Sequence, residues 1–292
     1  MRQPLPACST ERARPLLGTC VAIRIAGVAT VEAHALIDEA FACIAEIHRR
    51  MSFQEAGSDL QRINQQALLR PTRVDQKTWQ VLSAAVEYSR ASAGVFDVTI
   101  ADTLSGTGRL SPMAGMPIPD AGASWRDIEL LPDHHVQFHR PLWVDLGGIA
   151  KGYAVDCALE FLRSAGVMQA CVNAGGDLRV FGPEIERVHL LSAARGDVMP
   201  VLEISNAAVA SSGGDGAHVH GVTRASVHPH TRVSVVAPDC MTADALTKVV
   251  LADARLAGAL LPQYRAVAYL NDAHHDTISG WRTLGELAEI SC

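Results

Sequence analysis

VDLGGIAKGYAVD, residues Val144 to Asp156, is the stretch from which the reading of this chain starts. An apolar run, Leu142–Leu146, reads as a strand with Asp145 near its end. Gly147 and Gly148 turn the chain, and a helix follows over Ala150–Ala165. Glycines let backbone approach a ligand with no Cβ in the way. A helix start offers unpaired N–H groups and a partial positive charge, which suits phosphate, and Lys151 adds a full charge in the first turn. The pattern is neither G-x-G-x-x-G nor a Walker A loop. Taken alone it is either a structural strand–turn–helix or an anion site.

Towards the C-terminus, VNAGGDLRVFG (Val172–Gly182) reads as two strands, Gln169–Asn173 and Leu178–Phe181, around a Gly175-Gly176 turn. It is a plain hairpin or a turn with backbone donors facing a ligand. AVASSGGD (Ala208–Asp215) follows an apolar strand, and its small hydroxyls either bind a ligand or cap the next element. Further strands are expected at 200–210, 232–237 and 265–270, and a helix at 241–253. In CMTADALTKVVL (Cys240–Leu251), Asp244 shares a helix face with Thr247 and Lys248. A carboxylate beside a hydroxyl suits Mg²⁺, which prefers oxygen ligands. The other reading is an ordinary i,i+4 pair of Asp244 with Lys248, worth roughly 0.3–0.5 kcal/mol.

Towards the N-terminus, residues 18–26 read as a strand. Ala33, Leu36, Ile37, Ala40, Ile44, Ile47 and Met51 recur at three- and four-residue spacing, predicting a long amphipathic helix with Thr30 as N-cap. A second helix is expected over 77–92. MSFQEAGSDLQRIN (Met51–Asn64) reads as a loop with a capped helix start at Ser58-Asp59. GVFDVTI (Gly94–Ile100) sets Phe96 and Asp97 at the entry to an apolar stretch, Phe96 being core or a stacking platform. Residues 103–126, rich in Gly, Pro and Ser, read as a loop or insertion at the rim of a cleft. Strands and helices mix without βαβ alternation, which predicts an α+β fold. With no linker between independent units, 1–292 reads as one domain, at most two lobes sharing a cleft.

The balance of the 292 residues is ordinary for a globular protein: 48% hydrophobic, 19% charged, net charge -6. That charge excludes the basic footprint of a nucleic-acid binder. Seven cysteines without a C-x-x-C pair predict reduced, mostly buried thiols rather than disulfides or structural zinc. No signal-peptide h-region is visible and no apolar run spans a bilayer, so a cytoplasmic setting is expected.

The segments occur in a specific order: G-T strand, M-S…S-D-L-x-R-I-N, G-x-F-D, D-L-G-G-I-A-K-G-Y-A-x-D, N-A-G-G-D-L, a Ser/Gly stretch and C-M-x-A-D-A-L, from about Leu17 to Leu251. In this order the chain resembles the ApbE-type family of FAD:protein FMN transferases. The resemblance implies mixed sheets and helices around a central flavin-binding cleft. It also implies FAD as donor, Mg²⁺, and transfer of FMN to a Ser or Thr hydroxyl of an acceptor protein with release of AMP. It assigns Leu17, Phe53, Gln54, Val95, Phe96, Asp97, Asp145, Lys151, Asn173, Gly175, Gly176 and Asp177 to the flavin nucleotide. Gly148, Asp244 and Thr247 go to the metal, and His228 and Asp244 to catalysis.

Five departures from the family pattern fall on the chemistry. Leu17 stands for a Met, Gln54 for a stacking Tyr, and Ala225 for a His. His228 stands for an Asp, with the turn glycine after it missing, and Lys248 for a Thr that binds the metal. Phe53 is the neighbour expected to replace the lost ring, and Thr247 the one expected to supply an oxygen. Lys248 is itself a candidate replacement for the ion. His218, His220, His228 and His230 form a histidine-rich segment that either replaces the lost His, binds a metal weakly or is solvated loop. The alternatives to transfer are an FAD-binding relative without activity and an FAD pyrophosphatase.

Overall fold

The strand read at 18–26 buries Val21, Ile23 and Ile25, the period-two signature of a strand packed on one face. It belongs to a large antiparallel sheet. The structure, a computed structural model, describes residues 9–112, 114–190, 200–213, 218–227, 231–272 and 281–285. Its strands are β1 (Ser9–Leu16), β2 (Thr19–Ala26), β3 (Thr72–Arg73), β4 (Ile128–Leu131), β5 (His135–Phe138), β6 (Gln169–Ala174), β7 (Asp177–Phe181), β8 (Glu186–His189), β9 (Val201–Ile204), β10 (Ala208–Gly213), β11 (Thr231–Ala237), β12 (Val267–Asp272) and β13 (Trp281–Leu284). The helices are α1 (Thr30–Met51), α2 (Asp59–Gln66), α3 (Gln76–Ala91), α4 (Ala101–Gly106), α5 (Ala150–Ser164), α6 (Cys240–Ala252) and α7 (Ala254–Leu260).

Among the described residues, eight strands form one antiparallel sheet in the order β1-β2-β6-β7-β10-β11-β12-β13. Two small sheets, β3-β5-β4 and β8-β9, lie beside it. The fold is α+β. The core stripe of α1 (Ala33, Ile37, Ala40, Phe41, Ile44, Ile47, Met51) packs with α5, and α5 with α6, over the sheet. At the α5–α6 crossing stands Gly152, where an added Cβ would lie 2.3 Å from the Cys240 carbonyl oxygen. The helices approach so closely because that position has no side chain.

Several expectations are corrected. Leu142–Leu146 joins no ladder among the described residues. Its alternating apolar residues fill the core, and its backbone is bound elsewhere: the Val144 N–H donates to Asn64 Oδ1 at 2.8 Å, Asn64 Nδ2 donates to the Val144 carbonyl at 2.9 Å, and the Asp145 N–H donates to the Val98 carbonyl at 2.8 Å. Thr30 is the first helical residue, not the cap; Ala29 holds that place with no side-chain bond. The single strand at 200–210 is two, β9 and β10, in different sheets. The stretch 103–126 contains most of α4 and the start of a 3-10 turn, Trp125–Asp127. Among the described cysteines, all free, only Cys240 is buried; Cys20 is exposed because it lies on an outward position of β2. No helix among the described residues is long and apolar enough to cross a membrane.

Candidate functional site

The turn after Asp145 separates two cavities. One, of about 250 Å³, is lined by Val95, Phe96, Asp97, Gly148, His218 and Lys248 among others. The other, of about 220 Å³, is lined by Leu17, Met51, Phe53, Gln54, Ala150 and Lys151 among others. Asp145, Gly147 and Leu110 line both. Burial pushes the Asp145 carboxyl up, although the Gly147 N–H donates to it at 3.1 Å. The α5 start sits at this junction, with no side chain capping it.

Behind the junction lie two lysine–carboxylate pairs. Lys151 Nζ stands 2.5 Å from Asp177 Oδ2 as an ion pair, while the Ser211 N–H donates to Asp177 Oδ1 at 3.2 Å. Lys248 Nζ pairs with Asp244 Oδ1 and donates to Ser212 Oγ at 3.1 Å; the Gly152 N–H donates to Asp244 Oδ2 at 3.0 Å. Both carboxylates are fully buried and both ammoniums reach a cavity. Burial and the charge of Asp244 push the Asp177 carboxyl up. For Asp244 the burial penalty is outweighed by Lys248, Lys151 and the Gly152 N–H, which hold its carboxyl below the usual range. Burial also works against the Lys151 ammonium, but the charges of Asp177 and Asp244 outweigh it and hold its pKa above the usual value.

The remaining residues singled out in the sequence divide. Phe96 is both readings at once: it packs edge-on against Tyr88, ring centroids 6.2 Å apart, and still lines the first cavity. Asp97 accepts from the Thr99 N–H and Oγ1, both at 2.8 Å, and burial pushes its carboxyl up. Phe53 is buried beneath the second cavity, and Gln54 is exposed at its rim. Ser58 caps α2, accepting from the Gln61 N–H at 3.0 Å. Asn173, Gly175 and Gly176 line a third cavity, of about 400 Å³, with Ser211 and Ser212. There Asn173 Oδ1 accepts the Gly176 N–H at 3.0 Å, closing the β6–β7 hairpin. Gly175 has φ 68°, and a Cβ on it would stand 2.2 Å from Thr19 Oγ1. His220 Nδ1 accepts the Val222 N–H at 3.1 Å. His228 and His230 lie outside the described residues.

Two contributors were not assigned from the sequence. Leu110 comes from the Gly- and Pro-rich stretch and carried no motif signal. Ser212 was visible only as one of several small hydroxyls, yet it joins Lys248 to Thr247, whose Oγ1 lies 2.9 Å from Ser212 Oγ and 2.7 Å from the Asp244 carbonyl.

The expected metal set of Gly148, Asp244 and Thr247 does not fit a divalent ion. The Thr247 hydroxyl is turned to Ser212 and to backbone. The ammonium of Lys248 sits on Asp244, and its stem packs over Gly148, where an added Cβ would lie 3.5 Å from Cε. Like unit charges 4 Å apart repel by about 4 kcal/mol at an effective dielectric of 20, and a divalent ion doubles that. Among the described residues no group of three or more His, Cys, Asp or Glu could hold a metal.

A profile described as the ApbE family matches residues 17–266. The chain belongs to the ApbE family. It is 26% identical over 268 residues to the FAD:protein FMN transferase of Vibrio cholerae, covering 82% of this chain and 80% of that one. It is 25% identical over 242 residues to the protein of the same name from Haemophilus influenzae, covering 72% and 70%. In three dimensions it superposes on the flavin transferase ApbE from Vibrio cholerae with TM-score 0.81 at 23% identity, covering 97% of this chain and 98% of that one. The apo flavinyl transferase ApbE of Pseudomonas stutzeri gives TM-score 0.81 at 19% identity, covering 97% and 96%.

Proposed function

We propose that this ApbE-family protein transfers the FMN half of FAD to a Ser or Thr hydroxyl of an acceptor protein. The observation that carries this reading is the pair of cavities joined at Asp145, with a lysine reaching each. A dinucleotide has the matching layout: two ring systems joined by a pyrophosphate. The shared name of the Vibrio cholerae and Haemophilus influenzae relatives supports it. Because the large sheet takes strands from both halves of the chain, we treat 1–292 as one working unit.

In the reaction the acceptor hydroxyl oxygen bonds to the FMN phosphorus, the P–O bond to AMP breaks, and the hydroxyl proton is released. Lys151 and the uncapped start of α5 hold pyrophosphate oxygens, and in such a site fixed positive charge stabilises the charge developing on the leaving phosphate. Asp145, Val95, Phe96 and Asp97 shape the nucleotide pocket, and Leu17, Phe53 and Gln54 the other. Asp177 holds Lys151 from behind, and Asn173, Gly175 and Gly176 line the third cavity rather than the floor of these two. His228, three residues after the Ala225 that stands for the family's His, is the candidate proton acceptor in its place.

The test is incubation of the purified chain with FAD and acceptor domains carrying exposed Ser or Thr, reading intact acceptor mass and AMP. An FMN-sized mass gain with matching AMP is expected. Bound FAD with no AMP overturns the transfer reading, and AMP with no mass gain on any acceptor replaces it with hydrolysis.

A further inference from the structure

We propose that Lys248 is the resident cation of this site, so that FAD is held without a divalent ion. The inference rests on the flavin reading and deepens it. Lys248 Nζ has three N–H donors. One goes to Asp244, one to Ser212 Oγ at 3.1 Å, and the third is free to face the first cavity, which Lys248 lines beside Asp145 and Gly148. Its side chain is only 15% exposed, and Asp244 beneath it is fully buried. An ammonium so placed is directed by its partners, not swinging in solvent.

The surrounding atoms agree. Asp244 Oδ2 is taken by the Gly152 N–H, and the Thr247 hydroxyl faces Ser212 and the Asp244 carbonyl. The Asp244 and Thr247 oxygens expected in a metal's shell are therefore engaged within the protein. Lys151, on Asp177, lines the second cavity. Two ammoniums thus give the formal charge of one divalent ion, divided between the cavities. In the transfer, the acceptor oxygen bonds to the FMN phosphorus, the P–O bond to AMP breaks and the hydroxyl proton is released. Through all of this Lys248 keeps its protons and pairs with the phosphate oxygens.

Flavin fluorescence on titration of FAD into the whole chain, in EDTA and in Mg²⁺, tests this. Wild type is expected to give the same Kd within about twofold in both. Lys248→Thr is expected to bind FAD at least tenfold more weakly in EDTA and to recover in Mg²⁺. With Mn²⁺ as the spin probe, bound metal is expected in Lys248→Thr and not in wild type. A tenfold tightening of wild-type FAD binding by Mg²⁺ overturns the proposal. So does wild-type Mn²⁺ binding that Asp244→Asn abolishes, or a Lys248→Thr chain that binds FAD as wild type does in EDTA. Each of these leaves the flavin reading standing, whereas no FAD binding in either buffer overturns both. The wild-type titrations need no variant, so they decide the matter even where Lys248→Thr does not fold.

Discussion

The starts of α5 and α6 lie side by side and are finished in opposite ways. At α6, Asp239 accepts the Thr242 N–H at 2.8 Å, while Asp156 accepts the Cys240 N–H at 2.9 Å and the Met241 N–H at 2.8 Å. Its orphan donors are met by carboxylates, and Arg179 in turn pairs with Asp156 at 3.0 Å. At α5 the N-cap residue, Ile149, has no polar side chain to bond the helix, the Gly152 N–H donates to Asp244 from α6, and the first turn opens on a cavity. Both ends carry the same helix dipole. At α6 carboxylates answer it donor by donor; at α5 Asp244 takes the Gly152 N–H and the Leu146 carbonyl takes the Ala150 N–H at 2.8 Å, so the Lys151 N–H and ammonium are what the first turn offers a ligand's anion.

The sharpest way to break this contrast is Asp156→Ala. Among the described residues Arg179 keeps only the half-exposed Glu160 as an ion-pair partner, and two α6 N–H groups lose theirs. Removing one partner of a buried pair costs about 3–5 kcal/mol. We expect a drop in Tm on the order of 10 °C. A loss below about 1 kcal/mol in urea melts would mean that the closed end is not structural.

Gly152→Ala strikes both ends. Its Cβ would lie 2.3 Å from the Cys240 carbonyl oxygen and 2.9 Å from Asp244 Cβ, so the helices must part. Overpacking of this kind costs about 1–3 kcal/mol. FAD affinity should fall with it, because Asp244 is drawn off the Gly152 N–H. A variant with wild-type Tm and Kd would show that the close approach matters to neither.

The closed end should also answer to pH. Burial pushes the Asp156 carboxyl up to about 6, against the lowering effects of Arg179 and the two N–H donors. An unfolded Asp titrates near 3.9. Between those values the folded chain holds a proton that the unfolded chain has lost. The resulting stability is full below about pH 4 and gone once pH has risen through about 6. On this account the chain is more stable at pH 5 than at pH 7.5, by on the order of 1–2 kcal/mol. Asp156→Asn should reduce that difference in pH-dependent melts, leaving the part that Asp177, also pushed up to about 6, contributes; an unchanged slope would assign it elsewhere.

The same contrast explains what the sequence made legible. α1, α3, α5, α6 and the β6–β7 hairpin follow from apolar periodicity and a glycine turn, which are local. β1, STERARPL, was missed because it is an edge strand, where Glu11, Arg12 and Arg14 break any apolar run; Arg12 and Arg14 answer to Asp38 on α1. Leu142–Leu146 was misread because core packing writes the same alternation as a half-buried strand. Asp244 and Lys248 were visible as an i,i+4 pair. The Lys151–Asp177 pair and the Ser212 bridge join separate segments, and no local pattern reveals them.

The smallest effect sharpens the contrast from the open side. Gln54 stands at the rim of the second cavity, exposed, its N–H 3.3 Å from Ser52 Oγ. Phe53 does not replace a stacking ring at that rim, because its side chain is committed to the core at 3% exposure. Gln54→Tyr restores an aromatic surface at the rim of the second cavity, where an isoalloxazine ring could stack on it. Aromatic contacts are worth about 0.5–1.5 kcal/mol beyond burial, which is roughly two- to tenfold in Kd. Since the position holds nothing together, Tm in the absence of FAD should not move. Tighter FAD binding at unchanged Tm would place the open end's chemistry at its rim. Unchanged binding would put the isoalloxazine elsewhere, and a lowered Tm would show that the rim, like the start of α6, is part of the scaffold.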